Sequence, residues 1–267
     1  MSITSYQFIL TLFLMATLYS CNQKPHETKT ILVVVAHPDD ETGFGGVLAK
    51  FSRLGDKVHL VIGVDGRYST QSENNNPDSL ALANKRQAIC SCEKLGIEEP
   101  IFYDLISLDR KHGPKDGVRA AVESGIQLRE KLKETILDVK PDLIITYGPD
   151  GEYGHPEHII VSSLVTELLL REQWVDQYPL YYFGWTRTLE QGNDGWIRYA
   201  DDQYFNVITN YTAEDEERSL ASLNCYERMS ISEREEIMEY EKERKNELYF
   251  RKFAATQGVK DDFFSNE

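Results

Sequence analysis

Apolar residues in this chain fall in short unbroken runs, divided by longer amphipathic stretches. Residues 31–36, ILVVVA, form a β-branched run that predicts a strand covered on both faces. Residues 45–54 then read as a helix stopped by Gly55, and 58–64 as a second buried strand. Residues 65–79 are polar, with three asparagines and a proline, and predict a long loop. A helix is expected over 80–95, stopping at Gly96, and a short strand over 100–103. A long helix follows over 118–139, ended by Lys140-Pro141. Residues 143–147 are a fourth strand, and 158–171 have the apolar period of a helix. Strands over 180–183 and 204–208 are separated by an irregular stretch rich in Gly, Trp and Asp. Residues 214–253 are charge-rich. Leu220, Leu223, Tyr226, Met229, Ile237 and Met238 are spaced there for helix, with a capping box at Ser232 and Glu235 dividing it.

Strands alternating with helices predict an α/β fold, a mainly parallel sheet flanked by helices, with right-handed crossovers. In such sheets ligands bind beyond the carboxyl ends of the strands, where the chain order reverses. We expect one domain over 31–267, its C-terminal region helical and its outer faces solvated.

Residues 1–20 are a separate matter. The run 8–19 has signal-peptide length and is short for a membrane span. It ends Leu18-Tyr19-Ser20-Cys21, which resembles a bacterial lipobox, although no Lys or Arg precedes the run and Tyr19 is bulky there. The expectation is a lipoprotein-type signal peptide over 1–20, lipidated at Cys21, with 21–30 a tether. The product would be exported, at the periplasm or cell surface, touching the membrane through its lipid only. Ordinary secretion and an uncleaved anchor are the alternatives.

The chain has 267 residues, 41% hydrophobic and 27% charged, the composition of a globular protein. Its formal charge of −15 excludes nucleic acid as a partner, because nothing offsets phosphate repulsion. A neutral sugar is compatible with it. Beyond Cys21 there are Cys90, Cys92 and Cys225. Three is odd, and the first two point to different sides of a helix, so buried free thiols are expected.

The chemistry lies where two apolar strands end. The first, "ILVVVAHPDDETGFGG", places His37, Asp39, Asp40 and Glu41 on one turn. An acid there could cap the next helix. Capping needs one such residue, though, and three adjacent acids repel one another, so a cation explains the cluster better. The second stretch is "TYGPDGEYGHPEHII". His155 and His158 flank Pro156, which is welcome in a first helical turn, and their spacing puts both imidazoles on one face. Alone, such a pair is commonly two surface histidines. Joined to the first cluster at the same sheet edge, it points to a metal. Imidazole with carboxylate suits Zn2+ with an open position for water, and suits Fe2+ as well.

AHPDDE followed by GHPEH resembles the PIG-L/LmbE family of metal-dependent N-acetylglucosaminyl deacetylases. "RQAICSCEKLGI" resembles the family's Arg-headed helix, and "KPDLIITYGPDGEYGHPEH" its second block. The similarity spans residues 30–158. It departs at Glu157, where Asp is usual, and over 41–44, where the family has an aliphatic pair. The resemblance implies a Rossmann-like layered fold and a hydrolase acting on an N-acetylated amino sugar or glycoconjugate. It implies His37, Asp40 and His158 as metal ligands and Asp39 as general base. His155 would stabilise the oxyanion and protonate the leaving amine, and Tyr153 would join it at the oxyanion. Arg67 would hold sugar hydroxyls. Glu41 would orient a ligand or favour the helix start.

Gly43-Phe44-Gly45-Gly46 prompts a dinucleotide-binding reading, which fails because three acids occupy the place a pyrophosphate would take. A zinc amidase acting on a non-sugar amide, and a non-catalytic sugar-binding lipoprotein on the same scaffold, are the alternatives.

Overall fold

A computed structural model of the chain describes residues 26–68, 76–106, 117–187, 197–227, 229, 234–235, 237–239, 242 and 244–258. Cys21, the leader and Ser232 lie outside the described residues. The expected run of strands and helices is present: β1 (Thr30–Val35), α1 (Gly45–Leu54), β2 (Lys57–Val64), α2 (Pro77–Leu95), β3 (Ile101–Leu105), α3 (Gly117–Val139), β4 (Leu143–Tyr147), α4 (Pro156–Arg171) and β5 (Leu180–Thr186). They are followed by β6 (Tyr199–Ala200), β7 (Val207–Asn210), α5 (Ala213–Leu223) and β8 (Glu247–Lys252). The sheet runs β3-β2-β1-β4-β5-β8-β7, with β6 paired to β5. Strands β1 to β5 are parallel, and β8 is antiparallel to both β5 and β7.

Strand β1 shows how the layers arise. Ile31, Val33 and Val35 pack on one face with Val47 and Leu48 of α1 and Ala88 and Leu95 of α2. Leu32 and Val34 pack on the other with Leu128 and Leu132 of α3 and Val161 and Val165 of α4. Both faces of a two-residue repeat are therefore covered, which is why the run lacks polar alternation. The chain leaves β1 toward β2 on one side and returns through β4 on the other. The reversal of order falls at the carboxyl ends of β1 and β4.

Local chemistry sets the helix ends. Asn76 caps α2 by accepting from the N–H groups of Asp78 and Ser79, with Pro77 in the first turn. Gly55 and Gly96 close α1 and α2 with φ of 89° and 75°. The Gly45-Gly46 pair has a packing role. A Cβ on Gly46 would lie 2.5 Å from the Tyr211 ring, and one on Gly45 2.1 Å from Ser219 Oγ. The two glycines thus let α5 and the residues before it lie against α1.

Three expectations are corrected. The C-terminal region is not helical throughout, because 247–252 form β8, with Leu248 and Phe250 buried and their neighbours turned outward. Its reason is the free edge of β5, whose backbone groups it pairs. The strand expected at 204–208 begins at Val207, after a 3-10 turn over Asp202–Tyr204. Cys90 and Cys225 are not free thiols: they form a disulfide, and Cys92 alone is free and buried among the described residues. The two helix positions do face different sides, and Cys90 faces the end of α5, where Cys225 lies. The expected tether is also tied down at its end. His26 Nε2 is 2.7 Å from Asp56 Oδ1, which also accepts from the Lys29 N–H at 2.8 Å.

Candidate active site

The β1–α1 turn is built by its own acids. Asp40 Oδ2 accepts from the backbone N–H groups of Ala36 and His37, at 3.0 and 2.7 Å. These are donors left free as β1 ends, so the carboxylate is anchored to the strand. Asp39 adopts φ 104°, ψ −26°, a left-handed conformation disfavoured for residues with a side chain. It is held there from both sides. Its N–H donates to Glu41 Oε2 at 3.1 Å, and its carbonyl accepts from the Thr42 hydroxyl at 2.7 Å. Glu41, fully buried, also accepts from the Tyr226 hydroxyl. Glu41 thus points into the core and braces the turn.

The β4–α4 loop brings the second half. Rings of His37, His155 and His158 lie with centroids 4.8 to 5.4 Å apart. A ring nitrogen of each lies within 4.8 Å of one from each of the others. Tyr147 stacks flat on His158 at 4.2 Å, and the Tyr153 ring meets His155 and His158 edge-on at 5.7 and 5.5 Å.

Hydrogen bonds distinguish the three imidazoles. His37 Nε2 lies 2.6 Å from Glu157 Oε2, which orients the ring and turns Nδ1 toward the site, 3.6 Å from Asp40 Oδ2. His158 is 1% exposed, and neither ring nitrogen makes a hydrogen bond of good geometry. Its Nε2 is 3.2 Å from Asp40 Oδ1 and its Nδ1 is 3.5 Å from Glu152 Oε2. His155 caps α4, accepting the Glu157 N–H on Nδ1 at 3.2 Å. A neutral imidazole that accepts on Nδ1 carries its proton on Nε2. His155 therefore presents a donor, whereas His37 and His158 turn a ring nitrogen each toward one carboxylate, that of Asp40.

Charge follows the same division. Burial and the neighbouring imidazoles lower His155 to about 4, so it is neutral near pH 7. Burial works against ionisation of Asp40, but His158 and His37 outweigh it and hold the carboxyl well below its ordinary range. Burial and the Asp40 charge push Asp39 well above its ordinary value. Burial raises Glu152 to about 7. Burial would lower His37, yet Asp40 and Glu157 raise it. Adjacent carboxylates with pKa values driven apart mark a site with excess negative charge and a division of roles.

These residues fit a divalent metal. The clustered imidazoles of His37, His155 and His158, with the Asp40 carboxylate beside them, are borderline and hard donors suited to Zn2+ or Fe2+. The buried nitrogens of His158 face carboxylate oxygens of Asp40 and Glu152 without a hydrogen bond of good geometry, an arrangement a bound cation would complete. Arg67 sits elsewhere on the rim, where its guanidinium donates to Asp65 at 2.8 Å and to Asp78 at 2.9 Å. Two residues were missed from sequence. Glu157 orients His37, and Glu152 faces His158 from a left-handed backbone, φ 67°. The sequence signal for Glu152 was an acid set between turn residues in a strand-end loop.

Comparison with known proteins follows the same residues. A family model described as PIG-L, GlcNAc-PI de-N-acetylase, matches residues 32–169. A 1D-myo-inositol 2-acetamido-2-deoxy-alpha-D-glucopyranoside deacetylase of Corynebacterium glutamicum is 37% identical over 142 residues, 48% of this chain and 49% of that protein. The chain thus spans about half the length of the curated relatives it matches. N,N'-diacetylchitobiose deacetylase from Pyrococcus horikoshii superposes with a TM-score of 0.63 at 17% identity, covering 93% of this chain and 92% of that one. GalB, the 4-carboxy-2-hydroxymuconate hydratase of Pseudomonas putida, superposes at 0.58 with 15% identity, over 87% of this chain and 100% of its own. The structural likenesses establish a shared layered α/β fold.

Proposed function

Since the chain belongs to the PIG-L family, we propose that it is a metal-dependent N-deacetylase that removes an acetyl or other acyl group from an N-acetylated amino sugar or glycoconjugate. The observation that carries this reading is the division among the three imidazoles. His37 and His158 converge on Asp40, while His155 offers an N–H donor beside them. A structural metal site would use all its donors as ligands; a hydrolytic one keeps a donor and a base beside an open position. The curated relative's substrate, an inositol conjugate of an acetamido sugar, supports an N-acetylated sugar as the class.

His37, Asp40 and His158 would hold the ion. When bound, a divalent ion acidifies water and polarises an acyl oxygen. The rest falls to the chain. Asp39 takes the proton of the attacking water, held for that task by the left-handed turn. His155 donates Nε2–H to the oxygen on which charge develops, and Tyr153 lies against the same rings. The leaving amine must regain a proton, and the one that Asp39 takes from water is the proton returned to it. Glu152 and Glu157 keep the two ligand rings oriented.

Export with a lipid on Cys21 is part of the same proposal. Its support is the Cys90–Cys225 disulfide, a bond that persists in oxidising compartments. Membrane fractionation of wild type and Cys21→Ala tests it: the variant should leave the membrane fraction.

The activity is tested with purified protein reloaded with Zn2+ or Fe2+. Acetate release is measured from N-acetylglucosamine conjugates, N,N'-diacetylchitobiose and a non-sugar acetamide. Release from the sugars alone is expected. Release from the non-sugar amide alone would make it an amidase of another class. No release from any, with metal bound, would point to sugar binding without catalysis.

A further inference from the structure

The proposed base is held by a chain of contacts that reaches the far end of the sequence. Asp39 lies in a backbone region that only glycine enters freely, so something must keep it there. Its N–H is held by one oxygen of Glu41, and the other oxygen of Glu41 accepts from the Tyr226 hydroxyl. Tyr226 is 4% exposed and follows Cys225, which is bonded to Cys90 on α2. None of Tyr226, Cys225 or α5 lies within the region the family model matches.

We propose that Tyr226 is a positioning residue for Asp39, acting through Glu41, with the Cys90–Cys225 disulfide fixing the tyrosine in place. The inference rests on the reading of Asp39 as base. A buried carboxylate held by donors on both oxygens has one orientation. Ser91 lies against Glu41 as well, but Tyr226 is the donor on the oxygen opposite the Asp39 N–H. Without it the carboxylate can turn about its last bond and loosen its hold on Asp39. The Tyr226 ring fills its site by packing, but only the hydroxyl reaches Glu41. Tyr226→Phe keeps the ring and deletes the hydroxyl, which separates positioning from packing.

The test uses two readouts on metal-loaded full-length protein. Amide hydrogen exchange at Asp39 reports the turn directly, and steady-state kinetics report its consequence. Loss of one hydrogen bond should speed exchange at Asp39 by about 3- to 10-fold and lower kcat by a similar factor. KM and metal content should stay unchanged, since Tyr226 touches neither substrate nor ligand. Glu41→Gln retains an acceptor for the Asp39 N–H and should preserve most of the protection, whereas Glu41→Ala should lose it. Cys90→Ala should move both readouts in the direction of Tyr226→Phe.

Unchanged exchange in Tyr226→Phe overturns the proposal. So does faster exchange with unchanged kcat, or a kcat loss explained by lost metal. If the wild type hydrolyses no acetamide, the deacetylase reading falls. The exchange measurement then decides alone whether Tyr226 holds the turn.

Discussion

Asp39 and Asp40 are adjacent, equal in chemistry and assigned opposite tasks, so exchanging each for asparagine gives the sharpest test of the site. Asp39→Asn is nearly isosteric, and Asn tolerates the left-handed backbone about as well as Asp does. The backbone contacts that hold Asp39, through its own N–H and carbonyl, remain. What disappears is the proton acceptor. A positioned base is worth about 10²–10⁴ in rate, or about 2.7–5.4 kcal/mol of transition-state stabilisation. Turnover should fall by that factor, with metal content unchanged. Asp40→Asn removes a charge that lies 3.2 Å from His158 Nε2 and 3.6 Å from His37 Nδ1. It also weakens two hydrogen bonds from the Ala36 and His37 N–H groups. Bonds to a charged acceptor are worth about 1.5–3 kcal/mol each, so this variant should lose metal affinity and some stability together. Excess zinc should restore part of its activity. Elemental analysis and acetate release, run on the same preparations, read both effects. Loss of metal in Asp39→Asn with retention in Asp40→Asn would reverse the assignment. Full turnover in Asp39→Asn would refute the mechanism.

Three further outcomes follow from the geometry. Gly46→Ala places a Cβ 2.5–2.7 Å from three atoms of the Tyr211 ring, so chemical denaturation should show a loss of about 1–3 kcal/mol, as overpacking does. The Cys90–Cys225 disulfide joins residues 135 apart, for which the chain-entropy account gives about 5 kcal/mol; urea unfolding with and without reductant measures it, and an unchanged midpoint would contradict the assignment. His155 is held at about 4 in the folded chain against 6.5 unfolded, so below pH 6.5 the unfolded state binds the extra proton. Its contribution is therefore present above pH 6.5 and lost as pH falls toward 4. In chelator-treated protein, His155→Gln should show a shallower fall of the urea midpoint across that window.

The layered sheet was legible because buried parallel strands must be apolar on both faces, and β1, β2 and β4 announce themselves as unbroken runs. Residues 247–252 were not. ELYFRK alternates apolar with polar positions, yet it follows a stretch spaced for helix. Its conformation is set by the open edge of β5, where Phe183 pairs with Phe250. Pairing of that kind is decided by what lies beside a segment, not within it. The disulfide was hidden for the same reason, since nothing local to Cys90 indicates that the end of α5 will lie against it. At the site, the clustered motifs placed His37, Asp39, Asp40, His155 and His158 together, because each follows directly from a strand end. Beside the role of Glu157, those of Glu152 and Tyr226 escaped. One depends on a left-handed residue folding its carboxylate back toward His158, and the other on contact across 185 residues.

The run of three acids after β1 poses a physical problem that the turn resolves by direction. Packed side by side, three carboxylates would repel one another and none would hold a defined charge. Instead each is given a separate environment. Asp40 turns back to the strand's free N–H groups and two imidazoles, which keep it ionised. Glu41 turns into the core, where Tyr226 and the Asp39 N–H take its two oxygens. Asp39, forced into the left-handed region between them, feels burial and the Asp40 charge, which raise its proton affinity. A carboxylate that stays charged suits a metal ligand, and one with raised proton affinity suits a base. The left-handed backbone of Asp39 thus accompanies two neighbouring aspartates whose proton affinities are driven apart.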